Sequence, residues 1–224
     1  QFEAAIKLNP DMDVAWYYLG DEQMRQKKYK EAAASIEKAV GLDAGNAKWW
    51  ASLGAAYMQD GNDEKALAAL QKALAISKDL ASASADMGRL YAKQRKYPEA
   101  VAALKHALQL QPNLGQGYLA LAQYYYLGLR DLDAAVPPLQ RARKLLPNNA
   151  DVLVALSDVE ERQGKWQEAN AHLRQASLLE PRSADWLQDL ADNYAGMREF
   201  PQARAMLDRA LVLDPDDPGL IMDE

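Results

Sequence analysis

The sequence predicts an all-α fold built from stacked helix pairs, and three observations lead to this prediction. One motif recurs six times at a period of 34 residues, with one extra residue in the fourth copy. Apolar residues within each copy are spaced three or four apart, which places them on one stripe of a helix. Prolines recur near the ends of the copies, where a helix has to stop.

The predicted units follow one another without a linker. They span residues 13–46, 47–80, 81–114, 115–149, 150–183 and 184–217. Residues 1–12 match the second helix of a truncated preceding unit, and residues 218–224 match the start of a truncated following unit. We therefore expect a fragment of a longer array.

The first half of each unit is predicted to be a helix with a large residue at its fourth place and a small one at its eighth. The fourth place holds Trp16, Trp50, Ser84, Tyr118, Leu153 and Leu187, of which Ser84 is the exception. The eighth place holds Gly20, Gly54, Gly88, Ala122, Ser157 and Ala191. The small residue lets a neighbouring helix approach closely, while the large residues fill the space beside it.

The second half of each unit is predicted to be a helix with alanines on its buried stripe. A larger apolar residue lies between two alanines, at Ile36, Leu70, Leu104, Leu139, Leu173 and Leu207. Pro98 and Pro201 open second helices, a position where the missing N–H costs little. Prolines near unit ends leave room for an acidic or amide residue to cap the next helix.

The fourth unit departs from this pattern in two ways. It gains one residue around positions 127–133 and carries Pro137 and Pro138 inside its second helix. Proline in a helix interior removes backbone hydrogen bonds and costs about 3 kcal/mol. Either a kink or late helix start, with an altered superhelical path, or simple drift that the flanking units tolerate is consistent with the sequence.

This pattern resembles the tetratricopeptide repeat family, whose units are helix–turn–helix motifs of about 34 residues. The resemblance covers residues 1–217, because the Trp, Leu-Gly, Tyr, Ala, Leu, Ala and Pro positions recur in phase. It implies a right-handed α-solenoid (superhelix) whose first helices line a concave groove. It also implies a non-catalytic scaffold that binds a protein segment in that groove.

The resemblance assigns the second, fifth, sixth, ninth, twelfth and thirteenth places of each unit to the groove. The candidate partner-binding residues are Tyr17, Tyr18, Asp21, Met24, Lys48, Met58, Arg89, Lys93, Leu119, Gln123, Tyr126, Asp151, Asp158, Glu161, Asp185, Gln188, Asp189 and Asp192. This set grades from aromatic and mildly basic to strongly acidic. The acidic end favours a basic stretch in the partner, although an ordinary solvated face has the same composition.

The charge distribution argues against nucleic acid as a partner. The net charge is −6; residues 1–114 carry 15 Lys and Arg against 14 Asp and Glu, and residues 115–224 carry 11 against 18. Phosphate binding needs a basic face. The basic stretches at 25–30 and 93–97 fall at predicted turns, where we expect solvated charges. Apolar runs are too short for a membrane span, so direct membrane insertion is not expected.

Few residues offer catalytic chemistry. The chain has no Cys, no Thr and only two His, at positions 106 and 172, for which we expect packing or solvated roles. No phosphate-binding glycine motif occurs. We therefore expect no enzyme activity, no cofactor and no metal.

Two other functions remain open on the sequence alone. The chain is also consistent with a regulatory or substrate-recruiting arm of a larger enzyme or envelope or polysaccharide-secretion machine, or with a self-assembling scaffold. Its Cys-free, Ala-, Leu- and Gln-rich composition favours a bacterial source. Cytoplasm and periplasm both suit such a composition.

Overall fold

The computed structural model describes residues 1–215, and within this range the chain is a series of helix pairs without a β-strand. The first helices are α2 (Asp13–Arg25), α4 (Ala47–Gln59), α6 (Ala81–Lys93), α8 (Gly115–Gln123), α10 (Ala150–Arg162) and α12 (Ala184–Gly196). The second helices are α3 (Tyr29–Leu42), α5 (Asp63–Ile76), α7 (Tyr97–Leu110), α9 (Leu132–Leu145), α11 (Trp166–Leu179) and α13 (Phe200–Leu213). A short helix, α1 (Phe2–Leu8), precedes them. The all-α prediction is confirmed; the predicted start of a following unit at 218–224 lies outside the described residues.

The chain divides into two compact parts, Gln1–Pro112 and Asn113–Glu224. We call these the first unit and the second unit, and we call the 34-residue motifs repeats. In the first unit, one core cluster runs through α3, α4, α5 and α6. In the second unit, one cluster joins α8, α9 and α10, and smaller ones join α10 to α13. Each unit therefore buries a seam between successive helices, as expected of a repeat array.

The small residue at the eighth place allows the two helices of a pair to touch. A Cβ atom built on Gly20 would lie 2.5 Å from Cγ1 of Ile36 and 3.0 Å from the carbonyl oxygen of Ala32. A Cβ atom on Gly54 would lie 2.6 Å from Cγ of Leu70. At these two places the side chain of the second helix occupies the space that a larger residue would need.

In the first two repeats, the tryptophan at the fourth place is hydrogen-bonded to the turn before it. The indole Nε1 of Trp16 donates to the carbonyl oxygen of Pro10 at 2.8 Å, and that of Trp50 donates to Ala44 at 2.9 Å. At the exceptional position, Ser84 is buried and its Oγ lies 2.8 Å from Nδ1 of His106. A polar pair replaces the large residue there, and His106 has the packing role expected of it.

A residue in the left-handed backbone region follows each first helix. These residues, with φ between 57° and 81°, are Lys27, Gly61, Arg95, Arg130, Gly164 and Arg198. Lys27 and Arg95 belong to the two basic stretches and are exposed. The expected solvated charges are therefore confirmed at these two turn residues, whereas Arg25 and Lys93 of the same stretches end α2 and α6 and pair with carboxylates.

The extra residue of the fourth repeat is accommodated by a π-helical turn. Helix α8 ends at Gln123 and continues as a π-helix over Tyr124–Leu129, which accommodates one more residue per turn. Helix α9 then begins at Leu132 with a side-chain cap from Asp131 at 3.0 Å. The expected late start of this helix is wrong, because the insertion is taken up before the helix begins.

The two prolines lie within α9, which is assigned without interruption from Leu132 to Leu145. They remove the bonds that would reach the carbonyl groups of Asp133 and Ala134. Asp133 is exposed, so water can reach the first of these carbonyl groups. The expected kink stays a prediction.

Two glycine substitutions in the first repeat test the close packing. Gly20→Ala should lower the free energy of unfolding by about 1–2 kcal/mol, because overpacking outweighs the gain in helix propensity. Gly41→Ala is the matched control in α3, since nothing lies within 4 Å of its added Cβ. It should raise stability by about 0.5–1 kcal/mol. Urea unfolding measures both, and equal effects of the two changes would contradict this account.

Candidate functional site

The first unit carries a row of aromatic rings on α1, α2 and α4, of which Phe2 and Tyr18 are exposed, Tyr17 is half-buried and Trp49 is buried in the core. The rings of Tyr17 and Trp49 stack at 5.3 Å between centroids, Tyr17 meets Tyr18 edge-on at 5.5 Å, and Tyr18 stacks on Phe2 at 5.6 Å. Tyr18 is 47% exposed. Tyr17 also shares a 3.3 Å hydrogen bond with Ser52. Aromatic rings held in this way offer apolar contact area at little entropic cost.

Sequence analysis missed Trp49 and Phe2 as members of this row. Trp49 occupies the third place of its repeat, where the repeats on either side have Ala15 and Ala83. An aromatic residue between two repeats that have alanine at this place was the available signal. Met24 and Met58, two predicted groove residues, are partly buried and pack against the core cluster.

The predicted basic residues of the first unit are largely neutralised by carboxylates. Lys93 pairs with Asp63 at 2.7 Å and Arg89 pairs with Asp86, while the candidate residue Asp21 is paired with Arg25 at 2.7 Å. Lys48 is exposed, and no ion pair of the described residues includes it. The mildly basic end of the expected gradient is thus close to neutral.

In the second unit, two of the predicted groove residues belong to the core. Leu119 and Tyr126 are 5% and 3% exposed and lie in the cluster that joins α8, α9 and α10. The Tyr126 hydroxyl donates to Oδ2 of Asp158 at 3.2 Å. These two side chains are therefore covered by neighbours, while Gln123 is half-buried.

Helices α10 and α12 bring five carboxylates together, and we call Asp158, Glu161, Asp185, Asp189 and Asp192 the acidic cluster. Burial raises the pKa of the Asp189 carboxyl from its ordinary 3.8 to about 6, and the negative charges of the other four add to the rise. Burial also raises the pKa values of Asp158 and Asp192. These shifts mean that the charged forms of these three carboxylates are unfavourable in the folded chain.

Few groups compensate this charge. Arg162 and the Tyr126 hydroxyl stabilise the charged form of Asp158 and partly offset its burial. In the part of the chain that the structure describes, no Lys or Arg lies within ion-pair distance of a cluster carboxylate. Asp185 and Asp192 are exposed and Asp189 is half-buried, so the cluster is open to a ligand.

A buried amide network holds one member of the cluster in place. Asn193 Nδ2 donates to Oε1 of Glu161 at 3.0 Å, and Ser157 Oγ donates to the same oxygen at 3.3 Å. Asn193 in turn accepts a 3.3 Å bond from Nδ2 of Asn170. Asn193 is 1% exposed, so its substitution would leave buried polar atoms without partners.

The remaining predicted residues flank the cluster on the same two helices. Asp151 lies exposed in the first turn of α10, and Gln188 lies half-buried in α12 between Asp185 and Asp189. Sequence analysis placed all these acidic residues at groove positions. It did not identify Asn193, Asn170 or Ser157 as their support.

Two further features bear on chemistry. Nδ1 of His172 lies 2.7 Å from Oε2 of Glu160, and its Nε2 lies 2.5 Å from Nη1 of Arg143, which gives it a packing role in a polar network. Among the described residues, no group of three or more His, Asp or Glu side chains is arranged to hold a metal ion. None of the helices in the described range is long and apolar enough to cross a membrane.

The raised pKa of Asp189 predicts a pH-dependent stability. Between pH 4 and 6 the folded state retains a proton that the unfolded state has lost, so stability falls as pH rises through this window. Asp189→Asn should therefore raise the free energy of unfolding at pH 7.5 and leave it unchanged near pH 3.5. The full shift corresponds to at most roughly 3 kcal/mol, which solvent screening of this partly exposed group reduces to about 1 kcal/mol.

Urea unfolding at the two pH values measures this effect. The control is Asp208→Asn, which removes the same charge from an exposed position on α13. It should change stability by less than about 0.5 kcal/mol at either pH. An equal gain at both pH values, or a loss at pH 7.5, would show that Asp189 is not destabilised by its surroundings.

Solved structures with the same fold are found along most of the chain. YrrB, described as a TPR protein with an unusual peptide-binding site, is 24% identical, with a TM-score of 0.74 over 84% of this chain and 96% of YrrB. PilF of Pseudomonas aeruginosa is 18% identical, with a TM-score of 0.77 over 93% of this chain and 94% of PilF. MamA of Desulfovibrio magneticus RS-1 is 19% identical, with a TM-score of 0.72 over 77% of this chain and 97% of MamA.

Sequence comparisons identify the repeat family but no individual relative. No curated protein matches the chain. Three models of the tetratricopeptide repeat do match, one over residues 1–47, 85–150 and 124–181, a second over 43–113 and a third over 160–220. With its helix pairs, its packed eighth place and these matches, the chain belongs to the tetratricopeptide repeat family.

Proposed function

We propose that this chain is a non-catalytic scaffold whose acidic cluster binds a partner protein through a basic segment. The observation that carries the proposal is the state of Asp189, whose pKa is raised to about 6 by burial and by four neighbouring carboxylates. A folded chain that keeps such charges close together gives up stability. A basic ligand that binds there removes the repulsion and gains electrostatic steering.

The spacing of the carboxylates suits an extended segment. Asp185, Asp189 and Asp192 follow one another at intervals of about one turn along α12, roughly 4.5–6 Å apart along its axis. Alternate residues of an extended chain are about 6.6 Å apart. A segment with Lys or Arg at alternate positions can therefore place successive charges near successive carboxylates. Arg is favoured, because its guanidinium group binds carboxylates with two hydrogen bonds.

The family supports a binding role. Repeat arrays of this kind present extended surfaces to their partners, and the similar protein YrrB is described as having a peptide-binding site. The likeness to YrrB at 24% identity concerns the fold, so the ligand of that protein is no guide to the present one. The proposal for a basic segment rests on the acidic cluster itself.

The same charges disfavour nucleic acid at this face. Phosphate backbones carry dense negative charge and bind through Lys and Arg. The cluster carboxylates would repel them, and the second half of the chain carries 18 acidic against 11 basic residues. A protein segment is therefore the better candidate.

A triple substitution tests the proposal. Asp158→Asn, Asp189→Asn and Asp192→Asn together remove three charges while keeping the side chains nearly the same size. The matched control is the triple variant Asp11→Asn, Asp79→Asn and Asp208→Asn, which removes three charges from exposed positions elsewhere. Partners captured from native lysate by the wild type are identified, and their Kd values are then measured with all three proteins.

We expect the cluster variant to weaken binding of a basic partner by about tenfold or more, with a flatter dependence of affinity on salt. The control should bind like the wild type. Equal affinity of all three proteins would exclude the acidic cluster as the binding site. A mass that rises with concentration in light scattering would instead support a self-assembling scaffold.

A further inference from the structure

We propose a second binding site, in the first unit, that takes a bulky apolar side chain flanked by a carboxylate in a partner protein segment. The site is a pocket of about 400 Å³ formed by α3, α4 and α5. This volume falls in the range of roughly 300–1,000 Å³ typical of pockets that hold ligands. It is separate from the acidic cluster and does not depend on the function proposed for that cluster.

The walls and floor of the pocket are apolar. Val40 of α3, Leu53 of α4 and Ala69 of α5 line it, together with the indole ring of Trp50. Val40, Leu53 and Ala69 are buried, and Trp50 is half-buried. Hydrogen bonds hold the two aromatic side chains of the site in place. Tyr57 donates to Glu37, and Trp50 donates to the carbonyl oxygen of Ala44. The cavity is therefore preformed, which lowers the entropic cost of filling it.

Gly41 provides an independent observation. It lies within α3 on the lining of the pocket, and a Cβ atom there would meet nothing within 4 Å. Gly41 is the second-last residue of α3, and no contact with a neighbouring side chain requires a glycine there. The equivalent place in the next repeat holds Ala75, and later repeats have Gln109 and Leu178. The absence of a side chain at Gly41 keeps the mouth of this pocket open.

The charged residues of the pocket leave one cation available. Lys65 lies 4.0 Å from a carboxylate oxygen of Glu37 and over the ring of Tyr57. Lys72 Nζ lies 4.3 Å from the centroid of the Trp50 ring. Among the described residues, no carboxylate lies within ion-pair distance of Lys72. An incoming carboxylate can pair with Lys72 beside the apolar cavity.

These features define the occupant. A Phe or Leu side chain fills the space over Trp50 and beside Val40, and a neighbouring Asp or Glu in the same segment reaches Lys72. The pocket residues of α4, at positions 50, 53 and 57, lie on the stripe opposite Lys48 and Ser52. The site therefore uses the face of the first unit that the predicted groove residues do not.

A tetrapeptide probe tests the proposal on the intact chain. Acetyl-Gly-Phe-Glu-Gly-amide is titrated while the indole N–H signals of the five tryptophans are followed by NMR, with Trp50 assigned from a Trp50→Phe variant. The control peptides carry Gln in place of Glu or Ala in place of Phe. We expect saturable shifts of the Trp50 signal with the first peptide, and binding weaker by about fivefold or more with each control.

Two variants separate the pocket from general effects. Gly41→Leu should abolish the shift, because its side chain enters the cavity, while Ala75→Leu at the equivalent exposed place of α5 should bind like the wild type. Lys72→Gln should reduce affinity for the Glu peptide to that for the Gln peptide. Thermal unfolding confirms that all variants are folded. Two results would overturn the proposal: no saturable Trp50 shift up to about 10 mM peptide, or wild-type affinity in Gly41→Leu.

Discussion

The close contact between the first and second helices of each pair is the constraint on which the rest of this structure depends. At Gly20 and Gly54 the partner helix approaches so closely that even a methyl group would meet its side chains. This contact uses one stripe of every first helix for packing. Part of the opposite side also packs, as Leu119 and Tyr126 do, but places such as those of Asp185 and Asp192 remain exposed and are free to serve a partner.

The acidic cluster shows how such freedom is used. Stability in the second unit comes from buried side chains such as Leu139, Leu173 and Leu190. Asp158, Asp189 and Asp192 oppose it, because burial disfavours their charged forms, and at Asp189 the neighbouring carboxylates add to this effect. Residues that serve binding in this way lower the stability of the fold, and the surrounding packing has to compensate for that loss. The amide network of Asn193 and Asn170 fixes the position of Glu161 within that unfavourable arrangement.

The repeat made the fold predictable from the sequence, since the same spacing of large, small and apolar residues specifies both helices of the motif six times. Local exceptions were harder to anticipate. The π-helical turn absorbs the extra residue of the fourth repeat before α9 begins, and so the helix starts where the other second helices do. Counting places along an ideal helix also put Tyr126 in the groove, although the side chain is buried against its neighbours.

Contacts between neighbouring repeats explain the other differences between the predicted and the observed candidate site. Lys93 pairs with Asp63 from the preceding repeat, and Tyr126 donates to Asp158 of the next one. Residues 30 or more apart in the chain come together only through the stacking of repeats, and no local pattern announces which pairs will meet. The acidic residues themselves were predictable, because their places recur, whereas the degree of their burial and coupling was not.

The most direct measurement of the central claim is the pKa of Asp189 with and without a basic ligand. Its side-chain carboxyl signal is followed by NMR from pH 3 to 8, alone and with a ten-residue peptide of alternating Arg and Ala. Alone, the pKa should be about 6. With the peptide it should fall towards 3.8, because bound cations stabilise the charged form. The same peptide with Gln in place of Arg should leave it unchanged. An Asp189 pKa that does not move with the Arg peptide, or that lies near 3.8 without it, would contradict the claim that this cluster holds uncompensated charge for a basic partner.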